Sequence, residues 1–361
     1  MRPVFPAHTD LKDLTLPQLQ TLLDGLGAES YRARQICRWV FKAGVRHVAE
    51  MTDVPKSLRD MLEPCTQITT LMGRQISHAS DGTRKLRYHL SDGAAIESVL
   101  IREPRRLTLC LSTQAGCRMG CAFCLTAKGG LRRHLRPAEI VDQIIQARTV
   151  LHPGEQLTNL VLMGMGEPLD NYAHTVTALR IITDPEVLAL SPRRITVSTS
   201  GLVPAIRKFG AEGLGVNLAV SLNAPDDAMR TRLMPINKKW PIRDLLAACR
   251  DYPLPHRRRI TFEYVLLAGL NDQPSHAEQV AALLRDLRCK VNLIPFNEFP
   301  GAAFRRPAPA VVQRFQAILR NHRLTATIRE SRGGEIGAAC GQLAEHASRS
   351  PFGLDTAPTI G

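Results

Sequence analysis

The chain has 361 residues, 44% of them hydrophobic and 22% charged, enough for a sizeable core and ordinary for a soluble enzyme. No apolar run approaches the ~20 residues of a membrane span, and the stretch "MRPVFPAHTDLKDL" lacks a hydrophobic signal core, so a cytoplasmic protein without membrane contact is expected. A net charge of +14 favours a polyanionic partner such as RNA over a plain solvated arginine-rich surface, while 5% aromatics argue against a broad base-stacking platform.

Residues 1–73 predict a helical accessory module. "LTLPQLQTLLDGLG" and "YRARQICRWVFKAG" carry apolar residues at i, i+3 and i+4, and "MTDVPKSLRDMLE" continues the pattern. Its arginines suit RNA backbone contact as well as structural support. Residues 74–104 then alternate polar and apolar residues around two hairpin turn signals, Asp81-Gly82 and Asp92-Gly93. A short antiparallel β extension of two or three strands is expected there. Glu97 stands in the last of these, in "AAIESVLI". The alternation favours the exposed face of a hairpin; the other reading is a general base.

From residue 105 to 330 apolar runs alternate with helical stretches. The runs are "LTLCLS", "NLVLMG", "RITVSTS", "GVNLAVSL", "ITFEYVLL" and "KVNLIPF"; the helical stretches include Pro137–Leu151, Ile242–Tyr252 and His276–Leu287. Such alternation implies βαβ units and a parallel sheet. The fold class is therefore α/β, as a partial (β/α)6 barrel, short of a closed eight-stranded one. Chemistry in these folds gathers at the C-terminal ends of strands. "GMGEP" (Gly164–Pro168), "STSG" (Ser198–Gly201), "SLNAP" (Ser221–Pro225) and "PFN" (Pro295–Asn297) all fall there. Residues 331–345 form a C-terminal segment carrying Cys340, and residues 346–361 are expected to be a mobile tail.

Nine cysteines are present. In a large cytoplasmic protein they serve more often as ligands, nucleophiles or buried apolar groups than as disulfides. Cys117, Cys121 and Cys124 stand as C-x3-C-x2-C after the first strand run. Three thiolates fit a four-iron cluster with one iron left open for a substrate. The competing reading is a zinc site completed by Cys110 or His134.

The C-x3-C-x2-C spacing with Phe123 before the last cysteine, together with "GMGEP", resembles the radical S-adenosylmethionine (SAM) superfamily. "RGGEIGAACGQL", "IPFNEFPGA" and "TVSTSGLVP" narrow the resemblance to the RlmN/Cfr family of RNA adenine methyltransferases, over nearly the whole chain. The resemblance implies that Cys117, Cys121 and Cys124 hold a [4Fe–4S] cluster whose open iron chelates SAM. It implies that Cys340 takes a methyl group from one SAM, and that a deoxyadenosyl radical from a second SAM removes a hydrogen from that methyl. The carbon radical on Cys340 then adds to adenine, and Cys110 releases the product by forming a disulfide with Cys340. Glu97 is implied as the proton acceptor. Gly166 and Glu167 are implied at the amino end of SAM, Ser198, Ser221, Leu222 and Asn223 at its ribose and carboxylate, and Asn297 at its adenine.

The implied reaction is C2 methylation of adenosine in 23S rRNA at the peptidyl-transferase region and in tRNA 3′ of the anticodon, by a monomer using an electron donor such as flavodoxin. The closest alternative is methylation at C8. Readings from other classes are a zinc-stapled RNA-binding protein and a radical SAM enzyme acting on a peptide. Cys37, Cys65, Cys249 and Cys289 lie outside these motifs and are expected to be structural.

Overall fold

The computed structural model describes residues 8–344, so the expected tail at 346–361 lies outside the described residues. The N-terminal periodicity becomes three short helices, α1 (Leu16–Gly25), α2 (Arg32–Cys37) and α3 (Lys56–Leu62). Strands β1 (Thr9–Asp10) and β2 (Thr66–Gln67) pair in parallel beside them. α1 buries Leu16, Leu19, Leu22 and Leu23 along one face. The stretch "YRARQICRWVFKAG" is not one helix. It is α-helical to Cys37, widens into a π turn over Arg38–Ala43, and stops at Gly44, whose φ of 72° ends the segment.

Both predicted hairpins form. β3 (Met72–His78), β4 (Arg84–His89) and β5 (Ala95–Glu103) pair antiparallel in turn. At the turns Asp81 Oδ1 accepts from Thr83 N (2.9 Å) and Asp92 Oδ1 from Ala94 N (3.0 Å), with Gly82 and Gly93 at positive φ. β5 pairs antiparallel with β6 (Arg106–Cys110), which carries the extension onto the main sheet. β7 (Gln114–Gly116) and β8 (Leu131–His134) then form a separate ribbon around α4 (Leu125–Lys128).

The six expected strand–helix units follow. β9 (Asn159–Leu162), β10 (Ile195–Thr199), β11 (Asn217–Ser221), β12 (Ile260–Leu266) and β13 (Cys289–Pro295) join β6 in parallel. A seventh parallel strand, β14 (Ala326–Ile328), pairs with β13 at the sheet edge. The crossovers are α5 (Pro137–Arg148), α6 (Tyr172–Thr183), α7 (Val203–Ala211), α8 (Asp227–Leu233) with α9 (Ile242–Arg250), α10 (Pro274–Leu284) and α11 (Pro309–Asn321). Strand order runs β14-β13-β12-β11-β10-β9-β6-β5-β4-β3, with β14 and β3 as its two edges. Among the described residues no helix is long and apolar enough to cross a membrane.

The N-terminal module is tied to the barrel through α5. Lys12 Nζ lies 2.6 Å from Asp142 Oδ1, with both side chains buried, and also donates to Thr69 O (2.7 Å). Asp142 Oδ2 accepts from Leu71 N (2.7 Å), and Arg136 pairs with Asp13 (2.7 Å) and Asp10 (3.3 Å).

Candidate active site

The ribbon β7–β8 is the stem of the cysteine loop. Cys117 N donates to Gly130 O (2.7 Å), Cys124 N to Cys121 O (3.1 Å) and Ala122 N to Leu233 O (2.9 Å). Gly116, at φ 75°, sits so close to the Gly130 carbonyl that a side chain would collide with it. The three thiols face one cavity of ≈ 170 Å³. Burial pushes Cys117 up to about 12, Cys121 well above the ordinary thiol range, and Cys124 upward, opposed by hydrogen bonds at Thr126 and Ala127. Replacing those protons by iron would offset the cost of burying sulfur.

Most of the strand-end residues meet these cysteines. Gly166, Glu167, Ser198, Ser221, Asn223 and Asn297 line the same cavity. Gly166 has φ 103°, and a Cβ there would fall 2.6 Å from Gln114 Cβ. Gln114 holds this turn by accepting from Glu167 N (2.7 Å) and donating to Asp170 (2.8 Å). Burial raises the Glu167 carboxyl, against backbone bonds from Ser200 N (2.7 Å) and Leu169 N (3.0 Å). Asn223 adopts φ 57° and accepts from Val265 N (2.8 Å). Leu222 does not reach the cavity; its side chain is fully buried in the core. Ser200 Oγ is buried in the cavity wall beside the Glu167 carboxylate.

A second cavity, ≈ 650 Å³, fills the barrel interior. Branched apolar side chains usually pack that space. Here Thr108, Asn159, Thr196, Thr261, Asn292 and Thr327 line it. Cys110, at the end of β6, faces this larger cavity. Burial, then the Cys340 sulfur, push its thiol up to about 12. Cys340 lines both cavities. Its segment is laced to the cysteine loop and to the end of β13: Leu125 N donates to Gly341 O (2.7 Å), Thr126 Oγ1 to Leu343 O (2.7 Å) and, from just past β13, Asn297 Nδ2 to Cys340 O (3.1 Å). Gly341 turns the chain at φ 85°, a conformation that side chains rarely adopt.

Glu97 is buried, contrary to the exposed face that alternation favoured. The C-terminal segment covers it: Ala344 N donates to Glu97 Oε2 (3.3 Å), and Lys85 (3.2 Å) and Arg87 (3.6 Å) pair with Oε1. It lines neither cavity. Two charged residues that sequence reasoning passed over are in the wall itself. Glu263 on β12 lines both cavities, its carboxyl raised by burial and bonded by Asn292 Nδ2 (2.9 Å). Arg329, just past β14, has Nη1 3.6 Å from Met163 Sδ, and the Cys340 sulfur above all holds its pKa up. A carboxylate breaking the apolar run "ITFEYVLL" was the available signal for Glu263; nothing around Arg329 distinguished it.

The zinc alternative finds no support in this geometry. Neither Cys110 nor His134 lines the cysteine cavity, and His134 Nδ1 lies 3.0 Å from Gln114 Nε2. Among the described residues no three potential ligands converge as a single ion requires. A four-iron cluster spreads its thiolates over separate irons.

Residues 9–68 match the Ribosomal RNA large subunit methyltransferase N-terminal domain, and residues 111–281 match the Radical SAM superfamily. A "Dual-specificity RNA methyltransferase RlmN" of Syntrophus aciditrophicus is 48% identical over 94% of this chain and 97% of its own. One of the same description from Syntrophobacter fumaroxidans is 50% identical over 92% of this chain and 97% of its own. The crystal structure of a radical SAM methyltransferase from Sphaerobacter thermophilus superposes with a TM-score of 0.88 at 46% identity, covering 94% of this chain and all of that one.

Proposed function

The chain belongs to the RlmN family of radical SAM RNA methyltransferases, and from that membership we propose that it methylates C2 of adenosine in 23S rRNA and in tRNA 3′ of the anticodon. The observation that carries this reading is the position of Cys340 on the wall shared by two cavities. The smaller presents the three clustered cysteines; the larger has room and polar lining for a nucleoside.

Adenine C2 lies between two ring nitrogens and is electron-poor. It does not attack an electrophilic methyl group, but a carbon radical attacks it. Cys117, Cys121 and Cys124 would hold a [4Fe–4S] cluster, which with SAM supplies the one-electron chemistry. Gly166 and Glu167 would meet the amino end of SAM. Ser198, Ser221 and Asn223 would meet its ribose and carboxylate and Asn297 its adenine side, whereas Leu222, with its side chain in the core, its N bonded to Glu263 O (3.0 Å) and its O to Arg230, would not.

Cys340 carries the methyl carbon to the base, and two SAM molecules are used per turnover. Cys110 faces the same cavity, so once the adduct has given up one electron and its C2 proton the Cys110 thiolate can attack the Cys340 sulfur: the S–S bond forms, the bond from sulfur to the methylene carbon breaks, and the electron pair goes to that carbon, which takes up a proton as the RNA leaves. An external reductant then restores both thiols, and a donor such as flavodoxin feeds the cluster. Glu97 would be the proton acceptor: Ala344 N donates to it, and the residue before Ala344 in the chain, Leu343, lines the larger cavity. The +14 charge makes RNA binding weaken with salt.

The test is anaerobic turnover with methyl-labelled SAM and either an rRNA fragment or tRNA, followed by digestion and mass spectrometry. Label on C2 of adenosine supports the proposal. Label on C8 assigns the resistance-type regiochemistry instead, and unlabelled RNA rejects the reading.

A further inference from the structure

Arg230 is completely buried near the middle of α8, and no acidic side chain is bonded to it among the described residues. Its guanidinium binds carbonyls instead. Nη2 donates to Ser200 O (2.7 Å) and Ser221 O (3.0 Å), and Nε to Leu222 O (3.2 Å). Nη1 donates to Asn237 Oδ1 (2.8 Å). The nearby Asp227 carboxylate is engaged elsewhere, by Asn237 Nδ2 (2.9 Å) and Ile242 N (2.8 Å). Burial lowers the guanidinium to about 10, so it remains a cation at neutral pH.

Burying an ion without a counter-ion is costly. The surroundings show what offsets it. The three carbonyls belong to the ends of β10 and β11, which frame the cysteine cavity. The same helix ends against the cysteine loop: Ala122 N donates to Leu233 O (2.9 Å), and Cys121 and Phe123 pack on the cluster formed by Leu233 and Met234. Ser200 and Ser221, whose carbonyls Arg230 holds, line the cavity that the three cysteines face.

We propose that Arg230 is a positioning residue with a fixed charge: it clamps the strand ends that frame the SAM cavity and holds one positive charge beside the Cys121 corner of the cluster, raising its reduction potential. This rests on reading the three cysteines as cluster ligands. A thiolate-bound cluster gains a further negative charge when it accepts an electron from an external donor. A cation in a low-dielectric wall therefore favours the reduced form.

The experiment compares wild type, Arg230→Gln and Arg230→Lys, each reconstituted anaerobically with iron content measured. The readouts are a dye-mediated redox titration followed by electron paramagnetic resonance, and SAM affinity by equilibrium dialysis. In Arg230→Gln the reduction equilibrium should worsen about tenfold, a midpoint about 59 mV more negative for one electron. Arg230→Lys should keep the wild-type midpoint but bind SAM more weakly, because an ammonium cannot span three carbonyls. An iron-replete Gln variant with an unchanged midpoint overturns the proposal. If the Gln variant takes up no iron, a loaded Lys variant decides: a midpoint displaced as far as tenfold overturns the role of the charge, and an unchanged one with weaker SAM binding upholds it. A wild-type chain that takes up no four-iron cluster rejects the cysteine reading itself.

Discussion

Replacing Lys12 with Met tests the seam between the N-terminal module and the barrel. Lys12 and Asp142 are 1% and 0% exposed, and 2.6 Å separates their charged atoms. Removing one partner of a buried pair costs about 3–5 kcal/mol, because the other charge stays behind. Taking up a proton limits the loss: holding an ordinary carboxylic acid neutral at pH 7 costs about 4 kcal/mol. About 4 kcal/mol is a large share of the ~5–15 kcal/mol that keeps a domain folded. Urea unfolding should therefore move to lower concentration by roughly 1 M or more, at a slope of about 3 kcal/mol per M. The penalty should shrink as pH falls, since a stranded carboxyl is easier to neutralise in acid. Lys12→Met with Asp142→Asn should recover most of the loss, because the Asn oxygen still accepts from Leu71 N. A single variant within about 1 kcal/mol of wild type, or one whose penalty is the same at pH 5 and pH 8, would refute the reasoning.

Three further outcomes follow from the site. Cys110→Ala should lose release but not attack, so SAM-dependent RNA adducts should accumulate and survive denaturing electrophoresis; their absence would count against Cys110 as the resolving thiol. Glu97→Gln should lower turnover by about 10²–10⁴ while Cys340 methylation persists, and Glu263→Gln should not; the reverse order would move the proton-acceptor role to the wall carboxylate. Gly166→Ala forces a Cβ to 2.6 Å from Gln114 at φ 103°, so SAM affinity should fall at least about tenfold with iron content intact, as equilibrium dialysis would show.

The strand–helix rhythm was legible because apolar runs of sheet strands and the 3.6-residue period of helices are both local signals. The hairpins were legible from Asp-Gly pairs whose turns need positive φ. β14 was not: three residues, Ala326–Ile328, are too short to show a period, and only pairing with β13 defines them. The site was legible in its cysteines and its strand-end glycines, where chemistry restricts the residue type. Glu97, Glu263, Arg230 and Arg329 were misjudged or missed for one reason. Charge in a sequence says nothing of burial: "DDAMRTRLM" looks like a solvated helix, yet Arg230 faces the barrel. The N-terminal basic and acidic residues illustrate the same point, since Lys12 is consumed in a buried pair and so is not available to RNA.

The central claim is that the methyl carbon passes through Cys340 rather than moving intact from SAM to RNA. Turnover with SAM carrying a fully deuterated methyl, after Cys340 has been charged from the same SAM, measures this directly. The account predicts methyladenosine with one deuterium fewer than the donor methyl, and that deuterium in 5′-deoxyadenosine. An RNA methyl group with all its deuterium retained, or equal product from Cys340→Ala, would contradict it.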